Sequence, residues 1–265
     1  MLDESTTNTK AIFYRPTKIG VCTAWGSPFT WTDPAYNLMN WQRPEGVEVK
    51  FFPGRGRDPG ARHSWGVESA LRWGASHIMF FGADQIADED ILIKMVKHLE
   101  DGWPMVTGIT PARGFIDLEG NGKAVPFPMA AWKWKEGEAR RMSIKALEPV
   151  KREDGDVQEC AIVGSGAVIF AATVIRALQR PWFKELPADD DGFRPPMMDT
   201  TWCYRMVTEG GAKMVCDWSI RITHLDVFPI DNTFQRRFAD LHFSPDAKDY
   251  FLPKTAGGQH DGGKP

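Results

Sequence analysis

The stretch His77-Ile78-Met79-Phe80-Phe81-Gly82 constrains the fold more than any other part of the chain. It is a continuous apolar run of strand length, as expected for a strand covered on both faces, and such strands sit in sheets flanked by helices. The surrounding pattern agrees. Residues 18–25 open as a short apolar strand, residues 47–52 alternate as a second, and a Pro/Gly/Trp-rich connection lies between them. A glycine-rich loop runs from Pro53 to Ala61, after which Val67, Ala70, Leu71 and Gly74 fall at helical spacing. Beyond the central run, Asp88 is placed to cap a helix whose buried face is Ile91, Leu92, Met95, Val96 and Leu99, with Gly102 to end it. Residues 104–109 form the next strand. Strand and helix alternate throughout, which predicts an α/β fold: an αβα sandwich around a mostly parallel sheet.

The second half reads as more mixed. Residues 129–134 and 143–147 look like antiparallel pieces, and 160–170 is a strand broken at Gly164-Ser165-Gly166. A short helix is predicted from about Thr173 to Arg180, and another from about Asp199 to Glu209, stopped by Gly210-Gly211. Two short strands follow, around Met214 and Ile222. The tail beyond Pro253 is rich in Gly and Lys and is expected to be flexible. The expected organisation is an N-terminal extension over 1–17, a first functional half over 18–110, a second over 111–228, and a C-terminal extension over 229–265.

Composition excludes several classes. With 265 residues, 42% of them hydrophobic, the chain can bury the core of one large or two small domains. A formal net charge of −3 gives no global field to attract nucleic acid. Cys22, Cys160, Cys203 and Cys216 form no Cys-x-x-Cys pair and have apolar neighbours, so they read as buried free thiols. The start, Met1 to Lys10, lacks the basic and apolar segments of a secretory signal. The uncharged run Cys160 to Ile175 is too short to span a bilayer. A cytoplasmic protein without a membrane span is expected.

Three stretches point to chemistry. In Phe80-Phe81-Gly82-Ala83-Asp84-Gln85-Ile86, a carboxylate stands just past a buried strand, at the sheet edge where open α/β folds bind ligands. Asp84 there suits a hard divalent cation that neutralises a diphosphate, although a loop aspartate can also simply cap a turn. Asp199, in Met197-Met198-Asp199-Thr200-Thr201-Trp202, opens a helix and is either an N-cap or a reactive carboxylate. His224, in Ile220-Arg221-Ile222-Thr223-His224-Leu225-Asp226, follows an alternating strand and is either a structural hydrogen-bonding residue or a ligand for Mn²⁺ or a similar ion. Gly54, Gly56 and Gly60 do not match Gly-x-Gly-x-x-Gly, and no Gly-Lys-Ser/Thr follows, which argues against a dinucleotide fold or a P-loop.

Taken together, these stretches resemble glycosyltransferases of the GT-A fold, a Rossmann-like sandwich, close to the family-2 group. The likeness runs from about Lys18 to Asp226. Gly60-Ala61-Arg62-His63, then Ala70-Leu71-Arg72-Trp73-Gly74-Ala75-Ser76-His77, then Ile78 to Asp84 follow the family's order of arginine, helix, strand and Asp-x-Asp metal motif. Val106-Thr107-Gly108 resembles the next strand. Val163-Gly164-Ser165-Gly166-Ala167-Val168-Ile169 with Pro181-Trp182-Phe183 resembles the acceptor-side segment. Met198-Asp199 stands where the family has Glu-Asp, and His224 where many members have a third metal ligand. Gly82 occupies the first position of the metal motif, so Asp84 alone remains there. The loop of a sugar nucleotidyltransferase is not found at Thr23-Ala24-Trp25-Gly26-Ser27.

The resemblance implies transfer of a sugar from a nucleotide diphosphate sugar, a UDP-sugar in the first instance, to an acceptor hydroxyl. Asp84 and His224 would hold Mn²⁺ (or Mg²⁺). Arg62 would pair with the phosphates, Thr23 and Trp25 would hold the base, Gly166 would line the donor site, and Asp199 would be the general base of an inverting reaction. The 18–110 half would bind the nucleotide sugar and the 111–228 half the acceptor. The Asp-Gln and Pro-Trp-Phe style resembles short phage-encoded enzymes, for which a hydroxymethylated DNA base is an expected acceptor, with glycans as the alternative. Arg55, Arg57, Arg62, Arg236 and Arg237 would then meet a DNA backbone. A nucleotide-sugar-binding protein without catalysis is the other reading, and Gly82 is its support.

Overall fold

The computed structural model describes residues 15–24, 32–56, 58–111, 115–116, 125–126, 131–138, 146–186, 198–225 and 229–230. In chain order the elements are β1 (Lys18–Thr23), α1 (Thr32–Asn40), β2 (Glu48–Pro53), α2 (Pro59–Trp73), β3 (His77–Phe81), β4 (Gln85–Ala87), α3 (Ile91–Glu100), β5 (Met105–Ile109), β6 (Phe115–Ile116), β7 (Val125–Pro126), β8 (Ala131–Trp134), β9 (Leu147–Pro149), β10 (Val157–Cys160), β11 (Ile162–Val163), β12 (Ala167–Ala171), α4 (Ala172–Arg176), α5 (Met198–Thr208), β13 (Met214–Leu225) and β14 (Pro229–Ile230).

The main sheet has the order β2-β1-β3-β12-β5-β13-β10. Strands β2, β1, β3, β5 and β13 run one way, and β12 and β10 run against them. The apolar run becomes β3, buried along its whole length. Ile78 and Phe80 face one side with Cys22, Val67, Ala70, Trp202 and Met206. Met79 and Phe81 face the other with Ile19, Leu38, Leu92 and Met95. Helices α2 and α5 thus cover one face, α1 and α3 the opposite one. The α/β sandwich with a mostly parallel sheet is the observed architecture, and β8, β9 and β11 form a small antiparallel sheet beside it.

Several local expectations change. The connection before β2 contains helix α1, which the sequence pattern did not announce. Asn37 explains it: its Nδ2 donates to the Ala87 carbonyl at 2.8 Å and its Oδ1 accepts from the Ala87 N–H at 3.0 Å. The helix is fastened to β4 by one carboxamide, not by an apolar stripe alone. Helix α2 starts earlier than expected, at Pro59, because the Asp58 carboxylate caps it by accepting from the Ala61 N–H at 2.8 Å. Asp88 is not the side-chain cap of α3; Asp90 stands at that position and makes no such bond. The Asp88 carboxylate instead meets Lys94 and Arg221, each at 3.4 Å.

The broken strand over 160–170 is three pieces in two sheets, β10, β11 and β12. Helix α4 is shorter than expected and is followed by a cis Arg180-Pro181 bond. The two short strands around Met214 and Ile222 are one twelve-residue strand, β13, with a register shift between Asp217 and Arg221. Asp217 turns inward at that bulge. It accepts from the Ser219 N–H at 2.7 Å and meets His98 Nε2 of α3 at 2.7 Å. All four thiols are free and buried, as expected, and burial pushes Cys203 up to about 12, which keeps it an unreactive thiol.

Candidate functional site

Topology brings the candidate residues to one edge of the sheet. The carboxyl ends of β1, β3, β5 and β13 all lie there, joined by the amino end of the opposed β12. Thr23 ends β1, Asp84 follows β3, Gly166 precedes β12, and His224 lies near the end of β13.

The bulge in β13 aims His224. Below it, Met214 to Asp217 pair with β5; above it, Ile222, Thr223 and His224 pair with Ala87, Ile86 and Gln85 of β4. Asp84, the residue just before β4, is drawn in by its own carbonyl, which accepts from the Leu225 N–H at 2.7 Å. The outcome is that His224 Nε2 lies 3.4 Å from Asp84 Oδ1, with both side chains largely buried.

The other ring nitrogen settles the tautomer. His224 Nδ1 lies 2.9 Å from the Pro111 carbonyl oxygen. A carbonyl only accepts, so Nδ1 carries the proton. In the neutral ring, the Nε2 lone pair then faces a carboxylate oxygen. Two electron-rich atoms in that arrangement are stabilised by a positive species between them, either a proton on the ring or a cation. The donor set fits a cation: two ligands bound at about 2.1 Å and at right angles lie about 3.0 Å apart, close to the observed spacing. A backbone carbonyl holding the distal N–H is also how metal-ligating imidazoles are usually oriented. Asp84 and His224 could serve as two such ligands. Among the described residues no group of three His, Cys, Asp or Glu side chains converges as a metal site.

The other candidates are distributed around this pair. The Thr23 hydroxyl is buried without a hydrogen-bond partner among the described residues, and the Thr23 carbonyl accepts from the Gly54 N–H at 2.6 Å. That bond closes the loop after β2 onto the end of β1. Arg62, in the first turns of α2, donates from Nε to the Gly56 carbonyl at 3.1 Å, so the guanidinium braces the same loop. Arg55 stacks over Trp65 at 5.1 Å. Gly166 accepts from the Gly82 N–H at 2.9 Å through its carbonyl, tying the start of β12 to the turn that carries Asp84. Asp199 lies in the first turn of α5, beside buried Thr200 and Thr201. The Asp199 side chain, Trp25, Arg57, Arg236 and Arg237 lie outside the described residues.

Two participants were not found from sequence. The Pro111 carbonyl is a backbone group and leaves no residue-type signal. Gln85, next to Asp84, carries no residue-type signal of a role; it is 3% exposed, and its Oε1 accepts from the Gly82 N–H at 3.1 Å.

No family model matches the chain, and no curated protein matches it. Solved structures do. A197 from STIV is similar at a TM-score of 0.48 and 12% identity, over 79% of this chain and 85% of that one. GalNAc-T7, solved with UDP, GalNAc and Mn²⁺, is similar at a TM-score of 0.47 and 12% identity, over 89% of this chain and 47% of that one. An apo UDP-glucose pyrophosphorylase is similar at a TM-score of 0.36 and 10% identity, over 71% of this chain and 59% of that one. The chain spans less than two thirds of these last two proteins. The likenesses concern the fold and transfer no residue's role to this chain. No helix among the described residues is long and apolar enough to cross a membrane.

Proposed function

We propose that this chain is a metal-assisted glycosyltransferase that takes its sugar from a nucleotide diphosphate sugar, with UDP as the first nucleotide to test. The observation that carries the reading is the Asp84–His224 pair at the sheet edge, 3.4 Å apart with the imidazole proton committed to Pro111. A divalent cation, Mn²⁺ or Mg²⁺, held there would supply charge stabilisation for a departing diphosphate. This chain's own residues do the rest. Arg62 holds the loop beside the donor and contributes positive charge, Thr23 offers a buried hydroxyl to the base, and Gly166 lines the donor site with its backbone. Trp25 is proposed to stack on the base, and Asp199 to take the acceptor proton. The acceptor we put first is a hydroxymethylated DNA base, with a glycan hydroxyl as the alternative.

Calorimetric titration of UDP with and without Mn²⁺ tests the reading. Mn²⁺ should strengthen UDP binding to the wild type, and Asp84→Ala should remove that increment while leaving metal-free binding unchanged. An Asp84→Ala protein that keeps the full increment would take Asp84 out of the site. Hydrolysis of UDP-sugars by the purified protein with Mn²⁺ then separates an enzyme from a binder. The binder reading has one structural point in its favour: a neutral carboxamide, that of Gln85, packs against Gly82 in the metal motif.

A further inference from the structure

We propose that Gln85 is a positioning residue for the Asp84–His224 pair, and that its carboxamide, wedged between Gly82 and Gly166, sets the turn that aims the carboxylate at the imidazole. The geometry is specific. A side-chain carbon placed on Gly82 would lie 2.6 Å from Gln85 Cδ, and one placed on Gly166 would lie 2.6 Å from Gln85 Nε2. The amide therefore fills the slot that both glycines leave open. Its oxygen must be the atom facing the Gly82 N–H, because that N–H can only donate.

This bond closes the turn beside the Gly166 carbonyl, where β12 begins. On the far side, the Asp84 carbonyl is held by the Leu225 N–H, and the Gln85 backbone is in register with His224. On the near side, the Gly82 N–H is shared between the Gly166 carbonyl at 2.9 Å and Gln85 Oε1 at 3.1 Å, and without Gln85 only the Gly166 bond would restrain a turn that has the backbone freedom of a glycine. The same residue thus contributes its backbone to the strand that faces His224 and its side chain to the turn that carries Asp84. A carboxamide does so without adding a second charge beside Asp84. A spatial consequence follows for the metal motif: an acidic side chain at position 82 collides with Gln85, so Gly82→Asp disrupts the site unless Gln85 is shortened as well.

The metal part of this inference rests on the reading of Asp84 and His224 as ligands; the positioning part does not, and two readouts keep them separate. The first is the ¹H–¹⁵N imidazole spectrum of His224 in metal-free protein. The second is Mn²⁺ affinity in the presence of UDP, followed by the electron paramagnetic resonance of free Mn²⁺. Melting temperature controls for folding. Gln85→Met keeps length and apolar bulk but removes the acceptor. It should move the His224 resonances in the direction that Asp84→Asn moves them and weaken Mn²⁺ about 10-fold or more, the usual range for groups that orient ligands. Gly82→Asp should weaken Mn²⁺ similarly, and Gly82→Asp with Gln85→Ala should recover about 10-fold over Gly82→Asp alone.

A Gln85→Met protein with the wild-type spectrum and wild-type Mn²⁺ affinity overturns the proposal. So does a Gly82→Asp protein that binds Mn²⁺ more tightly than wild type with Gln85 in place. If Gln85→Met does not fold, the Gly82→Asp pair decides. If wild type shows no Mn²⁺ binding with UDP but Gln85→Met still moves the His224 spectrum, the metal reading falls and the positioning role stands.

Discussion

At the scale of single residues, Asp199 has two readings that one substitution separates. Asp199→Asn keeps size and capping ability and removes the basic oxygen. Turnover should fall by roughly 10²-fold or more with UDP affinity nearly unchanged. Single-turnover kinetics with a productive acceptor, beside UDP titration, give both numbers; wild-type turnover in the variant would leave Asp199 as a cap. The site residues differ in how far the chain's own letters announce them. Asp84 and His224 can be picked out as candidates because an acid just past a buried strand and an imidazole near the end of another fall at the sheet edge, while a turn cap and a structural hydrogen bond stay open as their other readings. The partners that orient them do not stand out. Pro111 acts through its carbonyl, and Gln85 through a bond to a backbone N–H three residues away. Such contacts depend on the turn and cannot be counted from residue type.

At the scale of elements, the link between α5 and the segment after α4 is the most exposed to test. Arg205 is 1% exposed and donates to the carbonyls of Gln179, Pro181 and Trp182 while gripping both Glu209 oxygens at 2.9 Å. Thr201 adds a bond to the Lys184 carbonyl at 2.8 Å. Together they fix Pro181-Trp182-Phe183, the stretch that sequence resemblance assigns to the acceptor side. Arg205→Met leaves three carbonyls without this donor, and unfolding free energy should fall by about 3 kcal/mol in urea titrations. Arg205→Lys should recover only part, since a single ammonium cannot reproduce the planar fork. A loss below about 0.5 kcal/mol in Arg205→Met would mean that solvent replaces the bonds at no cost. The elements themselves were legible wherever apolar period decided them: β3, α3 and β5 fall where the pattern puts them. Helix α1 was hidden because a polar residue, Asn37, anchors it, and β13 read as two strands because the Asp217 bulge interrupts its alternation.

At the scale of the whole molecule, buried imidazoles set the acid limit. Burial, reinforced by the adjacent Arg62, holds His63 down to about 4, and burial holds His77 down to about 4, against an ordinary 6.5. The unfolded chain takes up these protons below about pH 6.5 and the folded chain refuses them until about pH 4. Stability is therefore full above about pH 6.5, falls as pH drops toward about 4, and loses up to about 3 kcal/mol for each ring. Asp217 adds a loss of the same sign at still lower pH, below the ordinary carboxylate range. Burial would raise it, but its bonds from His98 and Ser219 more than offset that and hold it below the ordinary carboxylate range. Its contribution is present above the unfolded value and is lost as pH falls through the depressed one. Urea midpoints from pH 8 to pH 4 check the sign: a midpoint constant across that range would show that the two rings are protonated in the folded protein.

Strand β12 fills the middle of the main sheet in a way that constrains biogenesis. It lies between β3 and β5, two strands that precede it by at least 58 residues, counting from Ile109 to Ala167. As the chain leaves the ribosome, the facing borders of β3 and β5 stay unpaired until that late segment emerges to fill the gap. The nascent chain thus exposes a sticky intermediate while the middle third is being translated. A stalled product ending at residue 110 should be captured by chaperones and cut rapidly by protease, whereas one ending beyond residue 225 should not. Equal protease resistance of the two products would mean that the first half closes its own sheet.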